Sequence, residues 1–169
     1  MNIATIYPWR SQEHCIYISL GSNIRPEENL PRSVVMLRKF GRVIATSTVW
    51  ETSPVGTAGP RFLNAVVLLQ VNHPPALLKS LVLRRIEIEM GRIRTFNKYA
   101  PRPIDLDILI ADGLIIDPGI WTRAHLAVPL AELLPDLLHP DQGKTLVQIA
   151  QELKRTDEIR PHPDIKLGT

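Results

Sequence analysis

The chain has 169 residues, 44% of them hydrophobic, with 20 Lys and Arg against 17 Asp and Glu for a net charge of +3. That length fits one domain with its own core. No apolar run approaches the roughly 18 residues that span a bilayer, and the small charge excess excludes a chain that lives by coating nucleic acid. A lone cysteine, Cys15, builds neither an internal disulfide nor a multi-cysteine zinc site and is expected to be a small buried hydrophobe. With no basic-then-apolar leader in residues 1–13, the expected compartment is the cytoplasm. The expected layout is an N-terminal extension over residues 1–13, a single domain over 14–155, and a polar tail over 156–169, extended or frayed.

In chain order, residues 15–20 form a predicted strand closed by Gly21. Ser22 and Asn23 are expected to cap a helix with Pro26 in its first turn, Glu27 and Glu28 near its positive end, and Leu30, Val34 and Leu37 at helical spacing. β-Branched residues predict a strand over 42–50, and the Pro- and Gly-rich stretch 52–60 a loop. Residues 62–71, apolar at nearly every position, read as a central strand covered by helices. Pro74 and Pro75 open a second helix whose expected apolar face is Leu77, Leu78, Leu81, Ile86 and Met90, stopped by Gly91. A strand over 104–110 leads through the Asp112-Gly113 turn into residues 114–116, and short helices are expected at 128–138 and 145–153. The order β-α-β-β-α-β predicts an α+β fold of ferredoxin-like type.

Asp105 and Asp107 stand two apart on a predicted strand, so both carboxylates leave one face while Ile104, Leu106 and Ile108 enter the core. Alone, such a pair is more often a solvated sheet face than a metal site. Here it follows a cationic stretch of Arg84, Arg85, Arg92, Arg94, Lys98 and Arg102, and carboxylates beside guanidinium groups suit magnesium together with phosphates. The two carboxylates repel one another, so losing one is expected to cost little stability. The loop from Thr52 to Gly56, with Phe62 and Asn64, supplies amides, a donor-acceptor group and an aromatic face able to hold a flat polar heterocycle. The competing reading makes Phe62 core and lets Asn64 satisfy a neighbouring backbone group. No P-loop occurs, and the five histidines lack metal-ligand spacing.

These blocks resemble the 6-hydroxymethyl-7,8-dihydropterin pyrophosphokinase family from about Ile16 to Pro140. The resemblance is carried by Tyr17-Ile18-Ser19-Leu20-Gly21-Ser22-Asn23, by Thr52-Ser53-Pro54-Val55-Gly56 with Phe62-Leu63-Asn64, by Gly91-Arg92-Ile93-Arg94, by the signature-like run from Lys98 to Leu109, and by Val128-Pro129-Leu130-Ala131-Glu132. It implies transfer of pyrophosphate from ATP to the hydroxymethyl oxygen of the pterin, releasing AMP, in folate biosynthesis, with a pair of magnesium ions (Mg2+). By resemblance Asp105 and Asp107 hold the metals and Arg92 and Arg102 are the catalytic arginines on the transferred phosphates. Glu87, Arg94, Lys98 and Arg123 lie along the nucleotide, while Thr52, Ser53, Val55, Asn64 and Phe62 meet the pterin, with His125 opposite Phe62. Such a transfer asks for positioning and charge neutralisation and no covalent nucleophile. Three positions depart from the family's pattern: Tyr99 stands for a tryptophan, residues 108–123 are fewer and lack a Pro-His step, and His125 stands for an aromatic. Those departures motivate a second reading, a divergent or catalytically weak pterin kinase with another pterin substrate. The fold order and basic loop motivate a third, an RNA-binding module, against which the missing aromatic RNA-binding pattern counts. The implied partners are therefore small molecules, pterin and ATP, with no nucleic acid and no membrane.

Overall fold

A computed structural model describes residues 13–53, 59–93, 96 and 100–168. The long apolar stretches pair first: β1 (His14–Ser22) lies antiparallel between β4 (Phe62–Val71) and β5 (Asp105–Ala111). Around this centre the sheet runs β6-β5-β1-β4-β3-β7, where β3 is Trp50–Thr52, β6 Leu114–Ile115 and β7 Ile159–Pro161, and β2 (Arg42–Thr46) also pairs with β4. Both faces of the sheet are apolar, so both carry helices. Helix α1 (Pro26–Leu37) covers one face together with a rod made of α2 (Pro75–Leu77), a π-helical stretch (Leu78–Leu83) and α3 (Arg84–Glu89). On the other face, α4 (Ala124–Leu133) and α5 (Leu146–Thr156) pack over Trp50, Val66, Leu109 and Ile110. The class is α+β with an antiparallel sheet. Among the described residues no helix is long and apolar enough to cross a membrane.

Several expectations need correction. The strand expected over 42–50 breaks at Ser47, whose amide still donates to the Val66 carbonyl at 2.9 Å but whose hydroxyl, in place of its carbonyl, accepts the Val66 amide at 2.9 Å. In the gap, the Glu132 carboxylate accepts the Thr48 amide at 2.8 Å and the Trp50 indole N–H at 2.6 Å. The second helix slips phase because the Arg84 amide reaches back five residues to the Lys79 carbonyl, widening one turn. Val82 and Leu83 are buried in consequence, and Leu77 and Leu81, expected on the apolar face, are exposed. Helix α4 occupies 124–133 and not 128–138: it is apolar nearly all round, which hides its period, and it ends just ahead of Pro135.

Ser22 and Asn23 do not cap α1. The position before the helix belongs to Arg25, in a left-handed conformation with φ 43° and no side-chain cap. Cys15 is exposed, opposite Gln70 near the start of β1. The Asp112-Gly113 turn forms as expected, with φ of 49° and 81°, and α5 starts with a Thr145–Gln148 capping box. The tail is extended but tied down: β7 pairs with β3, the His162 amide donates to the Val49 carbonyl at 2.7 Å, and Leu167 is buried in the α1-side core.

Candidate functional site

One register line crosses the sheet. Asp105 on β5 stands opposite Gly21 on β1, Gly21 opposite Asn64 on β4, and Asn64 opposite Trp50 on β3. Residues in register share a face, so Asp105, Asn64 and Trp50 leave the sheet on one side, and two residues along Asp107 stands opposite Ser19. Gly21 makes the floor continuous. A Cβ there would stand 3.4 Å from Asn64 Oδ1 and 3.9 Å from the Asp105 Cβ.

The Asp105 end is charge-rich. Asp105 pairs with Arg92 and accepts Arg102 Nη1 at 2.7 Å, while Arg92 Nη1 also donates to Glu87 at 2.5 Å. Burial would push the Asp105 carboxyl up, but hydrogen bonds and charge from Arg92 and Arg102 outweigh it and hold the group below the ordinary carboxylate range. Burial works against the Arg92 cation too, and Asp105 and Glu87 outweigh it. Glu87, expected along the nucleotide, has a side chain only 3% exposed and sits beneath Arg92, where it also accepts the Leu106 amide at 3.0 Å. Lys79 completes this edge: its Nζ donates to the Leu106 carbonyl at 2.9 Å and pairs with Asp107. On an unbroken α-helix, eight residues would leave Lys79 and Glu87 about 80° apart; the wider π turn between them narrows that angle, and both reach the free edge of β5.

Residues 102 and 103 are fixed by Ser22, the last residue of β1, and by its neighbour Asn23. Asn23 Oδ1 accepts the Arg102 amide at 2.7 Å, the Asn23 amide donates to the Arg102 carbonyl at 3.2 Å, and Ser22 Oγ donates to the Pro103 carbonyl at 2.6 Å. These are the roles that replace the expected helix cap. The Arg102 guanidinium then lies 5.9 Å from the centre of the Phe62 ring, so it spans both ends of the row.

At the Asn64 end the row's own residues Asn64, Thr52 and Phe62 are uncharged, with the Arg102 guanidinium over the Phe62 ring. Asn64 is 6% exposed and its Nδ2 donates to Thr52 Oγ1 at 2.9 Å, so its partner is a side chain and not the backbone group of the competing reading. Phe62 is half-buried rather than core. Ser53 Oγ donates to Glu158 at 2.7 Å. Val55, Arg94, Lys98 and Tyr99 lie outside the described residues. Arg123, immediately before α4, donates to Asp117 at 3.0 Å with half its side chain exposed, and the structure does not bring it into the Asp105 cluster. His125, in the first turn of α4, has its imidazole held below the ordinary value by burial and then by Arg123, with Asp117, Asp157 and Asp105 pulling the other way.

Lys79, Ser22 and Asn23 are the residues that sequence reasoning missed. A lysine inside an otherwise apolar run was the available signal for the first, readable only once the π turn is known. Among the described residues no three His, Cys, Asp or Glu side chains converge as a ligand cluster; the oxygen donors are the pair Asp105 and Asp107.

Residues 17–135 match the family model described as 7,8-dihydro-6-hydroxymethylpterin-pyrophosphokinase (HPPK). The chain belongs to this family. The 2-amino-4-hydroxy-6-hydroxymethyldihydropteridine pyrophosphokinase of Synechocystis sp. is 32% identical over 169 residues, covering 93% of this chain and 85% of that one. Its counterpart in Pseudomonas aeruginosa is 36% identical over 146 residues, covering 79% and 88%. The mitochondrial folate synthesis bifunctional protein of Arabidopsis thaliana is 41% identical over 143 residues, 78% of this chain, and the chain spans 26% of that relative's length. Among solved structures, a Plasmodium falciparum HPPK-DHPS triple mutant superposes with a TM-score of 0.67 at 14% identity, covering 89% of this chain and 43% of that one; this is a likeness of fold. The HPPK match spans the whole Asp105–Gly21–Asn64 row.

Proposed function

We propose that this chain transfers pyrophosphate from ATP to the hydroxymethyl group of 6-hydroxymethyl-7,8-dihydropterin, giving the pterin diphosphate and AMP, as a step of folate biosynthesis. Membership of the HPPK family supports the reaction. The observation that carries the division of labour is the row itself, in which a glycine floor separates a neutral amide end from an arginine-bound carboxylate end.

In this reading the Asn64 amide and the Thr52 hydroxyl meet the polar edge of the pterin, Ser53 and Val55 flank it, and Phe62 and His125 take its faces. The hydroxymethyl oxygen then lies over Gly21, directed toward Asp105. Its attack on the β-phosphorus forms the new O–P bond as the bond to the α-phosphate oxygen breaks and AMP leaves, and the hydroxyl proton passes to water. Arg92 and Arg102 neutralise the charge that gathers on the transferred phosphates. Glu87 keeps Arg92 in place, while Arg94, Lys98 and Arg123 serve the rest of the nucleotide.

Asp105 and Asp107 fit magnesium by the chemistry of the donor set: two carboxylates on one face, each matched with a cation, and phosphate oxygens to complete an oxygen shell. Magnesium bound there, as a pair of ions, supplies charge neutralisation and fixes the triphosphate. The strand order β5-β1-β4-β2, with helices linking β1 to β2 and β4 to β5, supports a ferredoxin-like core. We assign a single catalytic domain to residues 14–155 together with the tail that β7 and the buried Leu167 tie into it, place the protein in the cytoplasm, and assign it no nucleic-acid or membrane partner. Incubation with ATP, magnesium and the hydroxymethyl pterin is expected to yield AMP and pterin diphosphate one for one. Release of ADP, or turnover only with another pterin, overturns the assignment.

A further inference from the structure

The sheet's last rung at the pterin end is Phe62–Thr52–Ile159, across β4, β3 and β7. One residue beyond it stand Arg61, Ser53 and Glu158, and there side chains take over the joining from the backbone. One Glu158 oxygen accepts Ser53 Oγ at 2.7 Å and the other accepts Arg61 Nη2 at 2.9 Å, while Arg61 Nη1 reaches Glu51 at 3.1 Å. Ser53 and Arg61 bracket residues 54–60 in the chain, so one carboxylate ties both ends of that segment. Glu158 lies outside the 17–135 stretch matched by the family model, and none of the chemistry assigned above uses it.

We propose that Glu158 is a positioning residue for the pterin: by clasping Ser53 and Arg61 it fixes the separation of β3 and β4 where Thr52 and Phe62 receive the substrate. This rests on the assignment of Thr52, Phe62 and Asn64 to the pterin. The geometry favours a positioning role over a general structural one. The core lies on the other side of the rung, and both Glu158 and Arg61 keep more than a third of their side chains in solvent, so an exposed network of this kind contributes little to global stability. Its leverage is local. The Glu158 carboxyl is held below its ordinary value by Ser53 and then by Arg61, in keeping with both bonds being made to the ionised form.

The test compares Glu158→Ala, Arg61→Met and the double variant of the full chain. Their readouts are pterin binding by the pterin's own fluorescence, binding of a non-hydrolysable ATP analogue without pterin, KM and kcat, and thermal melting. Glu158→Ala is expected to weaken pterin binding about threefold to fivefold, the range open to an exposed multi-partner ion pair. ATP-analogue affinity, kcat and the melting temperature stay unchanged. The double variant should bind pterin no more weakly than the worse single variant, and Glu158→Gln, which keeps an acceptor for Ser53, should recover part of the loss. Equal losses for pterin and ATP analogue overturn the proposal, as does a fall in melting temperature that accounts for the binding loss. Asn64→Ala is the control for the underlying assignment. If Asn64→Ala weakens pterin binding and Glu158→Ala does not, the clasp is wrong and the pterin face stands. If neither does, both fail.

Discussion

The two ends of the Asp105–Gly21–Asn64 row are organised by opposite means. At the Asp105 end, side chains arrive from a helix rod, a loop and a strand edge, and each carboxylate is matched with a cation: Asp105 with Arg92 and Arg102, Asp107 with Lys79. At the Asn64 end the paired charges, Arg61 with Glu51 and Glu158, stand just beyond the last rung, and Asn64 and Thr52 are aligned by the backbone ladder of β3 and β4 with one side-chain bond between them. The difference teaches what each half must do. In the proposed reaction the charged half exchanges its internal partners for phosphates when substrate arrives, whereas the Asn64 half presents a fixed outline.

The largest effect tests the charged half. Asp105→Ala or Asp107→Ala is expected to lower turnover at least about a hundredfold, since metal-borne neutralisation contributes several kcal/mol to such a transfer; near-normal turnover in both would remove the metal assignment. Stability should separate them. Sequence reasoning expects little cost from either, but Asp105 lies within a mostly buried ion cluster, and its loss is expected to cost about 1 to 3 kcal/mol in denaturant unfolding. Asp107, half-exposed beside Lys79, should cost little.

A comparison across the row comes next. Arg102→Ala should act chiefly on the chemical step, whereas Asn64→Ala should weaken pterin binding about tenfold or more and leave ATP binding nearly unchanged. Equal effects of both variants on both substrates would erase the distinction between the halves.

Lys79→Met sharpens the account of internal pairing. Without the ammonium beside Asp107, Mn2+ used as a spectroscopic probe should bind about twofold to fivefold more tightly, as befits a partly exposed pair. Unchanged or weaker Mn2+ binding would mean that Lys79 does not compete for the carboxylate.

The smallest effect belongs to His125. Its folded-state value lies below the ordinary 6.5, so as pH falls the unfolded chain takes up the proton first and the native state loses stability. The difference in unfolding free energy between the native chain and His125→Phe is expected to be flat above pH 7 and to grow below about 6.5. Pterin affinity should fall at lower pH still, as the depressed folded-state imidazole takes up its proton, in the native chain and not in the variant.

Periods and punctuation made part of the fold legible in the sequence. Strand β4 occupies the expected 62–71, being bounded by Pro60 and followed by Pro74, and the two-residue period placed Asp105 and Asp107 on one face before any fold was known. The rest depended on partners distant in the chain. The strand break at Ser47 exists because its hydroxyl meets the Val66 amide, 19 residues away. The resemblance places Glu87 along the nucleotide, and only the close approach of β5 reveals it as a buried acceptor for Leu106 and Arg92. Ser22 and Asn23 carried a capping signal that the 102–103 segment claimed instead.

The φ of Gly21 lies outside the left-handed range, and a Cβ there would meet only ordinary van der Waals neighbours. Nothing in the backbone asks for glycine, and a strand interior is a place where glycine costs about 0.5 to 1 kcal/mol relative to alanine. In the proposed reaction the position is specified by an absence: the missing methyl is the space through which the pterin's substituent passes from one end of the row to the other. On that reading an alanine at 21 is expected to give a sturdier protein with a blocked passage, so a screen that rewards thermal tolerance alone would select against catalysis at this residue.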